Sequence, residues 1–172
     1  YRFGNKSIYL FSPDDVEKYR KELNIKEHND STIKEDFFEF LEERDYSLSY
    51  KMPFLLAIVK HIDSIGDAKI EEVLDDYIAF YQDRLSRGLQ VDRSTCPYDE
   101  KMLKDRKAVQ RNMLTNPFEK FERKRFLYYS KDLSVISMNH ALFEKMKEED
   151  WERVRRQMRE DLRKYYDGMG GV

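Results

Sequence analysis

Seven cationic side chains crowd the stretch from Arg106 to Arg125: Arg106, Lys107, Arg111, Lys120, Arg123, Lys124 and Arg125. They are set against two acids, Glu119 and Glu122, a local excess of five positive charges. Guanidinium and ammonium groups clustered on one element can neutralise phosphates and release their counterions, which is the chemistry of nucleic-acid backbone contact. Lys131 follows close behind and extends the series. The other reading is an ordinary solvated helix face, paired with the acidic segment from Glu27 to Asp45. Charge alone leaves both open. The net charge of the whole chain is only -2, so the placement of the cations matters and their total does not.

No other grouping carries a reaction. The sequence lacks a GxxxxGK[ST] phosphate loop, a GxGxxG turn, an HExxH helix and a CxxC pair. His28, His61 and His140 are scattered and Cys96 stands alone, so four soft ligands cannot be gathered around a metal. Glu71, Glu72, Asp75 and Asp76 fall opposite the apolar stripe of their segment and read as a solvated face. Glu122-Arg123-Lys124 matches half of a metal-dependent nuclease motif, but that chemistry wants a strand and these residues read as helix. The expectation is therefore no catalytic residue, no metal and no cofactor. One cysteine excludes an intrachain disulfide and points to a reducing, cytoplasmic setting. The longest apolar run, Phe54 to Val59, is far shorter than the roughly 20 residues a membrane span needs. A start at Tyr1 and an end at Gly170-Gly171-Val172 read as a piece of a longer protein.

The elements that must position the cations follow from periodicity. The chain is 38% charged yet 14% aromatic, which suits amphipathic helices with solvated outer faces and does not suit disorder. Ile8-Tyr9-Leu10-Phe11 suggests a short strand, and Ser12-Pro13-Asp14-Asp15 starts a helix with Val16, Tyr19 and Leu23 inward. Thr32 and Glu35 match a capping box for a helix that buries Phe37, Phe38 and Leu41. Phe54, Leu55, Ile58, Val59 and Ile62 then recur at helical spacing behind Pro53, ending before Gly66. A longer stripe runs through Ile70, Val73, Leu74, Tyr77, Ile78, Tyr81 and Leu85, with Gly88 as a left-handed stop. Residues 89 to 98 read as a loop.

Helicity resumes from Asp99 to Leu114. Asn116 then caps a short helix with Pro117 at its first position. From Phe126 the period changes. Phe126 to Ser130 and Leu133 to Met138 read as a hairpin turning at Lys131-Asp132. Asn139 caps a helix to Lys147, and a last helix carries Trp151, Val154, Met158, Leu162 and Tyr165. The expected fold is mostly α with a small β-hairpin: a helical domain with a winged-helix-like core. It divides into an N-terminal helical subdomain (1–48), a winged-helix-like domain (49–147) with an insertion at 88–105, and a C-terminal helix and tail (148–172). In such an order the helix before the wing enters the major groove, and here that helix is the basic one. Phe118, Phe121, Phe126, Tyr128 and Tyr129 would mostly be core.

Two strings carry a family likeness: Ser49-Tyr50-Lys51-Met52-Pro53-Phe54-Leu55-Leu56-Ala57, and Asn116-Pro117-Phe118-Glu119-Lys120-Phe121-Glu122-Arg123-Lys124-Arg125-Phe126. With them the chain resembles, over roughly Tyr46 to Tyr166, the C-terminal module of bacterial DEAD/DEAH-type superfamily 2 helicases of the restriction type. Some of these also bear a phospholipase D-like nuclease domain. The resemblance implies a parent protein that does ATP-dependent work on DNA, defence against foreign DNA included, with its ATP-binding and DEAH motifs in other domains. It carries over no catalytic residue and implies no hydrolysis by this chain. It implies substrate engagement or domain docking, with DNA and the remaining helicase domains as partners and no small-molecule substrate.

Overall fold

A computed structural model describes residues 30–169. The strand and helix expected within residues 8–23 lie outside them. Helix α1 occupies residues 30–42, and residue 30 is already helical. Thr32 therefore sits inside the helix and does not cap it; its hydroxyl donates to Asp36 Oδ2 at 3.1 Å. Ile33, Phe37 and Leu41, spaced by four, point inward together with Phe38. Phe37 meets Phe126 edge-on with ring centroids 5.2 Å apart, which fixes α1 against the start of the hairpin.

Helix α2 (Lys51–His61) carries Pro53 in its first turn, where a missing amide costs nothing. Met52, Phe54, Leu55, Ala57, Ile58 and Val59 are all buried, so α2 is hidden on several sides, packed on both α3 (Ile70–Ser86) and α8 (Glu148–Gly168). Between α2 and α3 the Asp63 carboxylate accepts from the amides of Ile65 and Asp67. Gly66 follows at φ +92, with the Phe143 ring 3.2 Å from where a Cβ would stand. Only glycine fits there. Strand β1 (Asp67–Lys69) then runs straight into α3. Helix α3 ends at Gly88, φ +71, the expected left-handed stop.

The segment after Gly88 buries Val91, Asp92 and Tyr98. Two short helices follow in place of one continuous helix, each capped by an aspartate. Asp99 accepts from Met102 N at the start of α4 (Glu100–Leu103), and Asp105 from Ala108 N at the start of α5 (Arg106–Thr115). In α6 (Pro117–Arg123) Pro117 takes the first position, but Asn116 does not cap with its side chain. Its amide turns back and donates to the Asn112 carbonyl at 2.8 Å, binding α6 to the end of α5.

Strands β2 (Leu127–Ser130) and β3 (Val135–Met138) form the hairpin. Its tip spans 131–134, longer than Lys131-Asp132, because Ser134 adopts φ +55 and Leu133 projects into solvent instead of pairing. The hairpin is not alone: β1 pairs antiparallel with the far edge of β3, giving a three-stranded sheet in the order β1-β3-β2. Asn139 caps α7 (His140–Lys145) as expected, its Oδ1 accepting from Leu142 N. Helix α8 closes onto α2, with Val154 and Met158 fully buried. The molecule is thus mostly helical with a small antiparallel sheet. One apolar core takes in α1, the 89–98 segment and α8 along with the central elements. No described helix is long and apolar enough to cross a membrane.

Candidate functional site

Helix α5 buries Val109 and Met113, one turn apart, and this sets Lys107 and Arg111 on the outer face, also one turn apart. Both are exposed, and neither forms an ion pair among the described residues. Arg106 is placed differently. It reaches across to α3, where Nε donates to Glu71 Oε1 at 2.9 Å and Nη2 to Asp75 Oδ1 at 2.8 Å and to the Glu71 carbonyl at 2.7 Å. Partial burial works against its charge, and the two carboxylates more than offset that, raising its pKa. Arg106 is a clamp between α5 and α3. Two of the acids expected to form a merely solvated face, Glu71 and Asp75, are its partners; the other two, Glu72 and Asp76, flank His61 at 3.6 and 2.5 Å.

Helix α6 buries Pro117, Phe118 and Phe121 and exposes Lys120, with Lys124 exposed at its C-cap. Arg123 is held by Glu119 on the same helix, Nη2 to Oε1 at 2.6 Å. Lys120 lies beside Lys51, whose ammonium rests over the Phe40 ring at 4.8 Å and donates to the Asp45 carbonyl. Burial pushes the Lys51 pKa down, and the neighbouring Lys120 adds to this against the pull of Asp45 and Glu43. Arg125 adopts φ +66, and its carbonyl accepts from Asn139 Nδ2 at 3.0 Å. Arg123, Lys124 and Arg125 line a groove of about 410 Å³ whose other wall is acidic, with Asp36 and Glu39 of α1 and Glu43 just beyond it. Lys131 stands exposed at the hairpin tip.

The eight sequence-derived cations therefore fall into three surroundings. Arg106 and Arg123 are in ion pairs. Lys124 and Arg125 share a groove with carboxylates. Lys107, Arg111, Lys120 and Lys131 are open to solvent, with no ion-pair partner among the described residues.

Sequence reasoning missed the most polar buried cluster. Asp92 is 5% exposed and accepts from Ser49 N (2.9 Å), Ser49 Oγ (2.5 Å), Tyr165 OH (2.5 Å) and the amide of Arg93 (2.7 Å). Ser49 Oγ also bonds Tyr81 OH at 2.7 Å, and Tyr166 OH donates to the Val91 carbonyl at 2.6 Å. A serine hydroxyl on a carboxylate resembles nucleophile chemistry, yet no histidine adjoins it among the described residues and Ser49 is wholly buried. Among the described residues every buried side-chain polar atom has a partner, so the cluster is satisfied from within the chain. Cys96 is half-buried, and burial pushes its thiol above the ordinary value, away from thiolate reactivity. Among the described residues no three His, Cys, Asp or Glu side chains are grouped to hold a metal ion.

Comparison of the chain with protein-family models, with curated proteins and with solved structures gives no match in any of the three.

Proposed function

We propose that this chain is a non-catalytic accessory domain that contacts DNA phosphates, built as a winged helix and belonging to a bacterial, cytoplasmic DEAD/DEAH-type helicase. The observation that carries the DNA-facing reading is the pair Lys107 and Arg111, exposed on one face of α5 and free of carboxylates among the described residues. Unpaired cations one turn apart can each take a phosphate; salt-bridged ones must first give up a partner. Lys120 and Lys131 extend the contact, Lys124 and Arg125 stand at its edge, and Arg106 and Arg123 serve structure instead. The winged-helix reading draws support from element order: helix α2, strand β1, helix α3, the α5–α6 pair and the hairpin, with β1 joining β3. The helicase assignment rests on the resemblance of the Ser49–Ala57 and Asn116–Phe126 strings.

A second reading, a docking module for the helicase core or a partner protein, is favoured by one observation. The acidic wall of α1 faces Arg123, Lys124 and Arg125, and carboxylates there repel phosphate.

Fluorescence anisotropy with labelled duplex and single-stranded DNA across a salt series tests the proposal. Binding should weaken steeply with salt. Lys107→Glu with Arg111→Glu should flatten the log–log slope on duplex by about 1.8, roughly 0.9 for each phosphate no longer neutralised. Absence of binding to both forms at low salt, or a variant that binds as the unsubstituted chain does, overturns it.

A further inference from the structure

A second concavity lies between α2, α3 and α8, formed by elements separate from the α5 face. It encloses about 560 Å³. Its floor is apolar: Pro53, Leu56, Ala57 and Val59 from α2, with Phe80 from α3. Among the described residues its rim is cationic, with Lys60, Arg155 and Arg159 set against Asp76. Arg155 is engaged by Glu152 at 2.8 Å and Lys60 by Asp76 at 3.3 Å, whereas Arg159 has no ion-pair partner among the described residues. Arg159 also belongs to a shallower depression further along α8, which it shares with Arg156, Arg163, Glu152 and Glu160; Glu152 is engaged by Arg155, Glu160 by Lys164, and Arg163 by Asp167. Arg156, Arg159 and Arg163, at spacings of three and four, form one stripe about 10 Å long parallel to the groove.

We propose that this groove receives an amphipathic helix from a partner protein, with an apolar stripe flanked by Asp and Glu. A largely aliphatic trough beside a row of arginines is the complement of such a helix: two or three apolar side chains fill the floor while its acids meet Arg156 and Arg159. Nucleic acid fits less well. Pro53, Leu56, Ala57 and Val59 offer a base no aromatic face, and Phe80 is half-buried, edge-on to Tyr81 and tilted on Tyr166 with centroids 5.0 and 6.1 Å away. Arg156 and Arg159 are exposed and unpaired among the described residues, so no structural ion pair holds them there. Nothing in this groove depends on DNA contact by α5.

The test uses the isotope-labelled 172-residue chain and a synthetic peptide of about 16 residues, Leu at helical spacing and Glu elsewhere. The amide signals of Leu56, Val59, Phe80 and Arg159 should move on titration. Arg156→Glu with Arg159→Glu, both surface changes, should weaken binding at least about tenfold, and a peptide with Ser for Leu should not bind. A Lys-for-Glu peptide that binds as well, a double variant that binds unchanged, or shifts that lie elsewhere would each overturn the assignment. It is equally overturned if a single-stranded oligonucleotide moves these same signals and competes the peptide away, which would give the groove to nucleic acid. Lys107→Glu and Arg111→Glu should leave peptide binding intact, so failure here and failure of the DNA reading are separable.

Discussion

Around Asp92, a carboxylate, a serine and three tyrosine hydroxyls are sunk in the core with every donor matched to an acceptor. On α5, Lys107 and Arg111 stand in solvent with no ion-pair partner among the described residues. The first region holds the residue types from which active sites are made and is closed; the second holds only surface cations and is open. Polar groups satisfied by their own chain stabilise it, and those left unsatisfied at the surface are free to recruit something else. The contrast extends to the arginines, since Arg106 beside Lys107 is taken up by Glu71 and Asp75.

Breaking the buried region should produce the largest effect. Asp92→Ala strands the Ser49 amide and hydroxyl and the Tyr165 hydroxyl in the core, and denaturant unfolding should show a loss of about 3 kcal/mol or more. The DNA affinity of the folded fraction should not change. If it falls, Asp92 is not purely architectural.

Alkali probes the same region. Burial raises the pKa of Tyr50, Tyr77, Tyr81, Tyr98, Tyr165 and Tyr166 above the ordinary 10.0. Because the folded values lie higher, the folded chain holds protons that the unfolded chain releases. That stability is full below 10.0 and drains as pH rises past it toward the folded values. Tyrosinate absorbance and helical circular dichroism should therefore change together above about pH 10. Ionisation that runs ahead of helix loss would show that these hydroxyls are reached by solvent.

Smaller effects sharpen the boundary between the regions. Tyr166→Phe removes the bond to the Val91 carbonyl and should cost about 1–2 kcal/mol. Arg106→Ala should cost about 0.5–1 kcal/mol, diminishing with salt, because both carboxylates are well exposed. It should leave the DNA salt slope alone. Lys107→Ala with Arg111→Ala should alter stability by no more than about 0.5 kcal/mol while weakening DNA binding. Should Arg106→Ala weaken DNA binding as strongly as that pair, the division into clamp and contact is wrong.

What was legible in the sequence is what repeats. Helices α2, α3 and α8 announce themselves through apolar spacing, and Gly88 and Asn139 through side-chain chemistry that suits a left-handed stop and a cap. Strand β1 has three residues, Asp-Ala-Lys, and no alternation; it exists because β3 offers it an edge, which no local pattern reports. Asn116 has the right type and place for a cap, but the end of α5 competes for its amide. The basic stretch was visible as composition. Its division into clamped and free cations was not, because Glu71 and Asp75 lie more than thirty residues from Arg106 in sequence. The Asp92 cluster was the least visible: its members come from positions 49, 81, 92, 165 and 166, and no spacing rule joins them.

The scatter of those five positions also governs how the molecule opens. Ser49 leads into α2, Asp92 lies beyond α3, and Tyr165 and Tyr166 sit in the final turns of α8. One carboxylate thus knots three remote lengths of chain, and the last turns of α8 cannot open without breaking its bond to Tyr165. Amide hydrogen exchange near Tyr165 should be as slow as that of central α2, and a protease cut between Leu89 and Arg93 should release both together as a single cooperative unit.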